Sequence, residues 1–155
     1  MGIDPGLDRT GYAVLDHLAE KVIEAGVIRT TLGRPLAERL REIETALEEV
    51  VTDHHIRVIA VENLYVHYKH PNTAILMGHA RGVILLTAAR HGLDVIGLAA
   101  TQIKKTITGN GRASKVQIQR AITAALKLRE IPEPADVADA LAIAVCAGMM
   151  LERRV

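Results

Sequence analysis

The sequence predicts an α/β fold in which a mixed five-stranded sheet is flanked by helices. Two observations support this prediction. Three strand-like segments come first, strand-like and helix-like segments then alternate, and the last third of the chain reads as helical. With 155 residues, 49% of them hydrophobic and 24% charged, the chain is long enough to bury one ordinary core. We therefore expect a single domain over residues 1–155.

The first half of the chain supplies four of the five predicted strands. A short strand at 2–4 and two longer strands at 10–16 and 22–29 lie between turn signals and predict an antiparallel meander. A helix is predicted to open at Pro35, because apolar residues then recur with a period of 3.6. The unbroken apolar run within 57–62 is typical of a parallel strand that is covered on both faces.

The second half of the chain supplies one strand and most of the helices. A polar loop at 65–71 leads to a long predicted helix at 72–91, and residues 93–97 form the fifth predicted strand. The remaining segments are helical, with breaks at 109–111 and 132–134, where Gly and Pro are concentrated. No internal repeat, low-complexity tract or linker interrupts the pattern.

The net charge of +1 hides an uneven distribution of charge. Residues 95–129 contain seven basic side chains and no acidic one, and the rest of the chain has twelve basic against eighteen acidic residues. The seven are Lys104, Lys105, Arg112, Lys115, Arg120, Lys127 and Arg129. A basic block of this kind suits a polyanionic ligand. The alternative is an ordinary solvated helix surface.

Composition and local sequence patterns also indicate the cellular compartment of the protein. Cys146 is the only cysteine and lies in an apolar helical run, so we expect a buried, inert thiol and no intramolecular disulfide. The longest apolar stretch, residues 83–89, is too short to span a bilayer. The N-terminus shows no pattern of a signal peptide. We therefore expect a cytoplasmic protein that does not associate with membranes.

Four acidic residues stand at positions where an uncompensated charge is costly. Asp4 and Glu62 end apolar strands that are predicted to be neighbours, and Asp136 and Asp139 lie three apart on one face of a helix start. Taken singly, each has an ordinary explanation as a turn, cap or helix-start residue. Converging carboxylates repel one another unless a divalent cation lies between them. Jointly the four residues therefore predict a Mg²⁺ site.

Taken together, the motifs of this chain resemble those of the RuvC family of Holliday junction resolvases, within the ribonuclease H-like superfamily. The matching blocks occur in family order and span nearly the whole chain. They are Gly2-Ile3-Asp4-Pro5-Gly6, Thr10-Gly11-Tyr12, Val61-Glu62, Gly78-His79-Ala80-Arg81-Gly82, Gln102-Ile103-Lys104-Lys105 before Gly109-Asn110-Gly111, Lys115-Val116-Gln117, and residues 135–142.

The resemblance implies a ribonuclease H-like fold and a homodimeric, Mg²⁺-dependent endonuclease that nicks two strands of like polarity in a four-way DNA junction. Mn²⁺ is the expected substitute metal, and the RuvA–RuvB branch-migration complex is the expected partner. By the same resemblance Asp4 is a ligand shared between two metal ions, and Glu62, Asp136 and Asp139 complete the catalytic cluster. Two such ions can activate a water and stabilise the leaving oxygen.

The resemblance also points to candidate DNA-binding residues. Lys104 and Lys115 match basic positions of the family that hold phosphate near the site, whereas Lys105 and Arg112 are equally compatible with plain solvent exposure. Tyr65 falls three residues after Glu62, where relatives carry Phe in a loop that probes the junction bases. A Tyr can still stack on a base, because the ring face supplies that interaction.

Two further patterns have competing interpretations. His67 and His70 have a spacing that a zinc ion could use, but the sequence places no further ligand beside them, so contact with DNA or solvent is the preferred interpretation. Ala74, Gly78 and Gly82 form a stripe of small residues on the long helix. The stripe permits close packing within the chain, or, by the family resemblance, close packing across a dimer interface.

Three other functions compete with junction cleavage. A junction-binding protein without nuclease activity would have no need for the complete carboxylate set. An actin-like ATPase needs about twice this length and a second Asp-x-Gly strand turn. A pre-ribosomal RNA nuclease family shares the fold and the Gly-Ile-Asp start, and it is the best enzymatic alternative.

Overall fold

The computed structural model describes residues 1–64 and 71–152, and it contains five strands and five helices within them. The strands are β1 (Gly2–Asp4), β2 (Arg9–Asp16), β3 (Lys21–Arg29), β4 (Val58–Glu62) and β5 (Asp94–Leu98). The helices are α1 (Leu36–Asp53), α2 (Pro71–Arg90), α3 (Ala100–Thr108), α4 (Lys115–Ala125) and α5 (Ala135–Glu152). The predicted α/β class and the five-stranded sheet are therefore confirmed.

The sheet is mixed, with the strand order β3-β2-β1-β4-β5. The first three strands form the predicted antiparallel meander, and β1, β4 and β5 run parallel to one another. The short β1 thus occupies the centre of the sheet. Its carboxyl end, that of β4 and the amino end of β2 lie along one edge, because β2 runs in the opposite direction.

Several predicted element boundaries differ by one residue from those in the structure, and two of these differences have identifiable reasons. Pro35 precedes α1 as its N-cap instead of opening the helix, with an extended ψ of 143°. Leu93 was predicted to start the fifth strand, but its N–H donates to Ala88 O across Gly92, which has a φ of 63°. Leu93 therefore completes the end of α2, and β5 begins one residue later.

Each face of the sheet carries its own aliphatic core. On one face α1 and α2 pack against β1 and β4 through side chains such as Ile43, Leu47 and Ile84. On the other face α5 lies between the sheet and helices α3 and α4, and every residue from 140 to 148 is buried. The predicted burial of Cys146 is confirmed. Because α5 is apolar on all sides, packing rather than amphipathic patterning fixes its position.

No helix within residues 1–64 and 71–152 is both long and apolar enough to cross a membrane.

Candidate functional site

The carboxyl ends of two parallel strands bring the first two acidic residues together. Asp4 is the last residue of β1 and Glu62 is the last residue of β4. The two strands pair directly, with Ile3 opposite Val61. Asp4 and Glu62 therefore end neighbouring strands at the same edge of the sheet, as the sequence predicted.

The first turn of α5 brings the other two carboxylates to this edge. Asp136 and Asp139 are partly buried residues of that turn and the next, and they share one face of the helix. Negative charge at a helix N-terminus is favoured by the exposed N–H groups there. Asp4 interacts electrostatically with Asp139, Glu62 and Asp136, in that order of strength. The four predicted residues thus form one cluster, the carboxylate cluster.

Backbone-to-backbone contact holds α5 against the strands that carry the carboxylate cluster. A Cβ atom on Gly2 would lie 2.4 Å from Ala140 O and 2.5 Å from Ala144 N. A Cβ atom on Gly11 would lie 2.2 Å from Asp136 O. Neither contact is possible for a real side chain, so the spacing between α5 and the sheet depends on glycine at both positions.

Burial and mutual repulsion raise the pKa of three of the carboxylates. The pKa of Asp4 rises to about 7, first because the group is desolvated and then because Asp139, Glu62 and Asp136 repel its charge. Lys115 partly opposes this rise. A carboxylate with such a pKa is only partly ionised near neutral pH, so the cluster attracts a compensating cation.

The pKa values of Glu62 and Asp139 are also raised, but two lysines oppose the rise instead of one. Desolvation is the main cause of the raised pKa of each carboxyl group. Repulsion by Asp139 adds to the effect at Glu62, whereas Lys104 and Lys115 lower the pKa of both groups. The two lysines thus lie close enough to this part of the cluster to offset some of its negative charge.

A defined helix start places Lys115 beside the carboxylate cluster. Ser114 caps α4 by accepting from the N–H of Gln117, whose side chain in turn accepts from the N–H of Ser114. This capping box makes Lys115 the first residue of α4. Its Nζ lies 3.6 Å from Asp139 Oδ2.

The other predicted DNA-binding residues divide into two groups. Lys105 on α3 and Arg112 in the following loop are both exposed, and neither is among the residues that shift the pKa values of the cluster. Exposure leaves them free to contact a ligand outside the cluster. Tyr65, His67 and His70 lie outside the described residues, so their predicted roles stay predictions.

Sequence reasoning missed Arg9, the first residue of β2. Its Nε lies 3.6 Å from Asp136 Oδ2. The signal that could have found it is strand direction, since an antiparallel partner of β1 must start at the edge where β1 ends. Because Gly11 lies opposite Asp4, Arg9 lies just beyond the carboxyl end of β1.

The small-residue stripe on α2 has open space around it. A Cβ on Gly82 would meet nothing within 4 Å, and one on Gly78 would approach only Leu64, at 3.8 Å. Ile75, Leu76 and Leu86 of the same helix are exposed. Among the described residues, close packing within the chain therefore does not account for these two glycines.

The chemistry of the carboxylate cluster suits a hard divalent cation, although its side chains are not drawn together around one. Within the described stretches, no three acidic, histidine or cysteine side chains are grouped closely enough to hold a metal ion as they lie. Two of the four carboxylates contact cations instead, Asp136 with Arg9 and Asp139 with Lys115. Carboxylate oxygens are the ligands that Mg²⁺ prefers, and its charge would offset the repulsion that raises the pKa of Asp4. The donor set therefore fits the ion once these two contacts are exchanged for it.

Comparison with known proteins gives one consistent family. The family described as crossover junction endodeoxyribonuclease RuvC matches residues 1–147. The RuvC of Rhodopirellula baltica is 53% identical over 148 residues, which cover 94% of this chain and 83% of that protein. The RuvC of Pelotomaculum thermopropionicum is 42% identical over 148 residues, covering 94% and 90%.

Solved structures agree with the sequence comparison. A structure of T. thermophilus RuvC in complex with Holliday junction substrate superposes with a TM-score of 0.88 at 29% identity, covering 99% of this chain and 94% of that one. The yeast mitochondrial Holliday junction resolvase Ydc2 has a TM-score of 0.62 at 14% identity, covering 99% and 80%, and this likeness concerns the fold alone.

Proposed function

Because this chain belongs to the RuvC family of crossover junction endodeoxyribonucleases and has the family's ribonuclease H-like fold, we propose that it resolves four-way DNA junctions by paired, symmetrical nicks during recombination and repair. The observation that carries the proposal is the carboxylate cluster, in which residues from both ends of the chain meet at one edge of the sheet. A plain α/β domain gains nothing from burying four mutually repelling acids.

In the proposed site, Asp4, Glu62, Asp136 and Asp139 hold divalent metal, with Mg²⁺ as the physiological ion and Mn²⁺ as a substitute. The bound metal supplies charge that activates a water and stabilises the leaving oxygen of the phosphodiester. Asp4, which the other three carboxylates repel, would be the ligand shared between two such ions. Lys104 and Lys115 hold the phosphate backbone at the side of the cluster formed by α3 and α4.

The proposed assembly is a homodimer with one carboxylate cluster in each subunit. A four-way junction has paired strands related by approximate two-fold symmetry, and two symmetrical nicks need two sites related in the same way. The open stripe at Gly78 and Gly82 and the exposed apolar residues of α2 support this helix as the contact surface. We further propose a single nuclease domain over residues 1–155, action in the cytoplasm, and cooperation with the RuvA–RuvB complex.

A binding and cleavage series tests the activity. The protein is titrated in EDTA with a mobile four-way DNA junction, a matched linear duplex and a structured RNA of similar charge, and Mg²⁺ is then added. We expect preferential binding of the four-way junction and metal-dependent, paired nicks. Binding without cleavage would favour a junction-binding protein, and preferential RNA cleavage would favour the ribosomal RNA nuclease alternative.

The variant Gly78→Leu tests the dimer. Sedimentation should show a shift of mass from dimer to monomer, and cleavage of the two strands should become uncoupled. Ala37→Leu is the matched control, since Ala37 is an exposed residue of α1. Circular dichroism checks that both variants fold. A folded Gly78→Leu protein that stays dimeric contradicts the proposed surface, and a wild-type monomer at micromolar concentration contradicts the dimer itself.

A further inference from the structure

The backbone that leads into Arg9 is fixed by hydrogen bonds from neighbouring elements. Thr30 Oγ1 donates to Leu7 O at 2.8 Å, and the N–H of Thr30 donates to Asp8 O at 3.3 Å. Arg39 on α1 in turn donates to Thr30 Oγ1 and pairs with the carboxylate of Asp8. Because these contacts pin the turn before β2, Arg9 projects from a defined point at the edge of the sheet.

The side chain of Arg9 is only lightly engaged by the protein. It is 53% exposed, and its Nε lies 3.6 Å from Asp136 Oδ2, which is beyond hydrogen-bonding distance. Exposed ion pairs of this kind contribute little to stability, because solvent screens the two charges. The contact is therefore too weak to be the whole reason for a guanidinium at this position, and the remaining donors of the side chain are available to a ligand.

Arg9 and Lys104 lie on opposite sides of the carboxylate cluster. β2 and β4 flank β1 on its two sides. Arg9 starts β2, whereas Lys104 acts on Glu62 at the end of β4. The four acids are thus bracketed by cations. A nucleic acid strand that crosses a cluster of like charge needs such compensation before and after the crossing point, because its phosphates are otherwise repelled there.

We infer that Arg9 binds a backbone phosphate of the substrate strand on the β2 side of the carboxylate cluster, next to the phosphate that is cut. Guanidinium matches phosphate in a two-bond fork, which holds the strand in register as well as attracting it. The inference rests on the proposed function, because it assigns a substrate contact to the same site. Arg9 is then a substrate-positioning residue, and Lys104 holds the strand from the other side.

Metal-free binding measures this contact without relying on cleavage. Wild type, Arg9→Ala, Arg9→Lys and Arg29→Ala are titrated with a four-way junction in EDTA over a series of NaCl concentrations. Arg29 is the matched control, since it is an exposed arginine paired with Arg9 in register on β3, one strand further from the cluster. Arg9→Ala should bind about fivefold to tenfold more weakly, and its log–log salt slope should fall by about 0.9.

The remaining variants separate charge from geometry. Arg9→Lys should keep the slope of wild type but recover only part of the affinity, because lysine retains the charge and lacks the fork. Arg29→Ala should stay within about twofold of wild type. Equal losses for Arg9→Ala and Arg29→Ala, or an unchanged slope for Arg9→Ala, would overturn the inference.

An Asp136→Asn background tests whether Arg9 acts only by holding Asp136. In that background the further change Arg9→Ala should still lower the salt slope by about 0.9. If it has no effect there, Arg9 merely orients Asp136 and the inference is wrong. Wild type reports on the proposed function independently. Failure of wild type to prefer the junction defeats the proposed function, whereas junction binding that is unchanged by Arg9→Ala defeats only the role of Arg9.

Discussion

Two acidic regions of the same sheet differ in how their charge is satisfied. Glu24 on β3 accepts a hydrogen bond from the hydroxyl of Tyr12 at 2.5 Å, and its other oxygen lies 2.6 Å from His54 Nε2. These contacts lower the pKa of Glu24, first through Tyr12 and then through His54. Desolvation, and after it the hydrogen bond to Glu24 and the charge of Glu24, raise the pKa of Tyr12 to about 12.

The carboxylate cluster shows the reverse arrangement. Asp4 is surrounded by other carboxylates, and its pKa rises to about 7. Hydrogen bonds from Tyr12 and His54 therefore stabilise the ionised form of Glu24, whereas desolvation and repulsion make ionisation of Asp4 costly. A fold tolerates such a cost where the charge is used for binding or catalysis, so the difference supports the carboxylate cluster as the proposed site.

The change with the largest expected effect is Asp4→Asn, which removes the central charge of the cluster. Cleavage of a four-way junction should fall at least about a thousandfold, because stabilisation by bound metal is worth several kcal/mol. Junction binding in EDTA should stay equal or become slightly tighter, since repulsion of phosphate decreases. Asp94→Asn, an exposed acid at the start of β5, is the control. Near-normal cleavage by Asp4→Asn would contradict the metal-cluster proposal.

The double variant Lys104→Ala/Lys115→Ala tests the cations that compensate the cluster. Its log–log salt slope for junction binding should fall by about 1.8, which corresponds to two lost phosphate contacts. Lys127→Ala/Arg129→Ala is the control, because it removes two exposed charges of the same basic block. Binding isotherms over a range of NaCl concentrations provide the measurement. An unchanged slope for the first variant would place the DNA elsewhere.

Gly11→Ala should disturb the carboxylate cluster by displacing the backbone of α5, which carries Asp136 and Asp139. The new Cβ cannot fit 2.2 Å from Asp136 O, so α5 must move away from β2. We expect a loss of about 1–3 kcal/mol in the free energy of unfolding, measured in urea, together with slower cleavage. Gly26→Ala on β3 meets only the side chain of Tyr12, at 2.9 Å, and should cost less. Equal losses in the free energy of unfolding for the two variants would mean that the close contact between α5 and β2 does not limit the side chain at position 11.

The metal-free protein should show the cost of ionising Asp4 as a dependence on pH. The folded-state pKa of about 7 exceeds the ordinary value of 3.8, so the stability contributed by protonated Asp4 is full below about pH 4 and lost as pH rises through 7. The free energy of unfolding of Asp4→Asn minus that of wild type should therefore be about 1–3 kcal/mol larger at pH 8 than at pH 5. Urea denaturation in EDTA at both pH values measures this. A difference in unfolding free energy that is the same at both pH values would show that the pKa of Asp4 is not raised.

Glu24→Gln should give the smallest effect, with the opposite dependence on pH. The lowered pKa of Glu24 means that its stabilisation is present above the ordinary pKa of glutamate and is lost as pH falls through the lowered value. We expect a cost of about 0.5–1.5 kcal/mol at pH 7, from weakened hydrogen bonds. Thermal unfolding at pH 7 and pH 3 should show this cost shrinking at the lower pH. A cost that grows on acidification would reverse the comparison between the two regions.

The sheet was predictable because its strands are short apolar runs between turn signals. The parallel pairing of β1 with β4 followed from the run at 58–61, which only a strand covered on both faces tolerates. The exact ends of the strands and helices were harder to predict from the sequence. Leu93 looks like a strand residue in sequence, but the hydrogen bond that assigns it to the end of α2 depends on the conformation of Gly92.

The carboxylate cluster was predictable for a similar reason, since strand ends converge by topology. Arg9 was not found because its place beside Asp136 depends on the direction and register of β2, and no local pattern distinguishes it from other exposed arginines. The close contacts of Gly2 and Gly11 with α5 are equally invisible in sequence, because they join residues more than a hundred positions apart.

The dependence of the cluster on α5 has a consequence for the order of events during synthesis. Asp4 leaves the ribosome early, whereas Asp136 and Asp139 follow only after the whole sheet has been translated. Until α5 docks onto β1 and β2, only two of the four cluster residues, Asp4 and Glu62, are in place. Translation products that lack α5 would therefore lack the complete cluster, and under the proposed function they could not cut DNA.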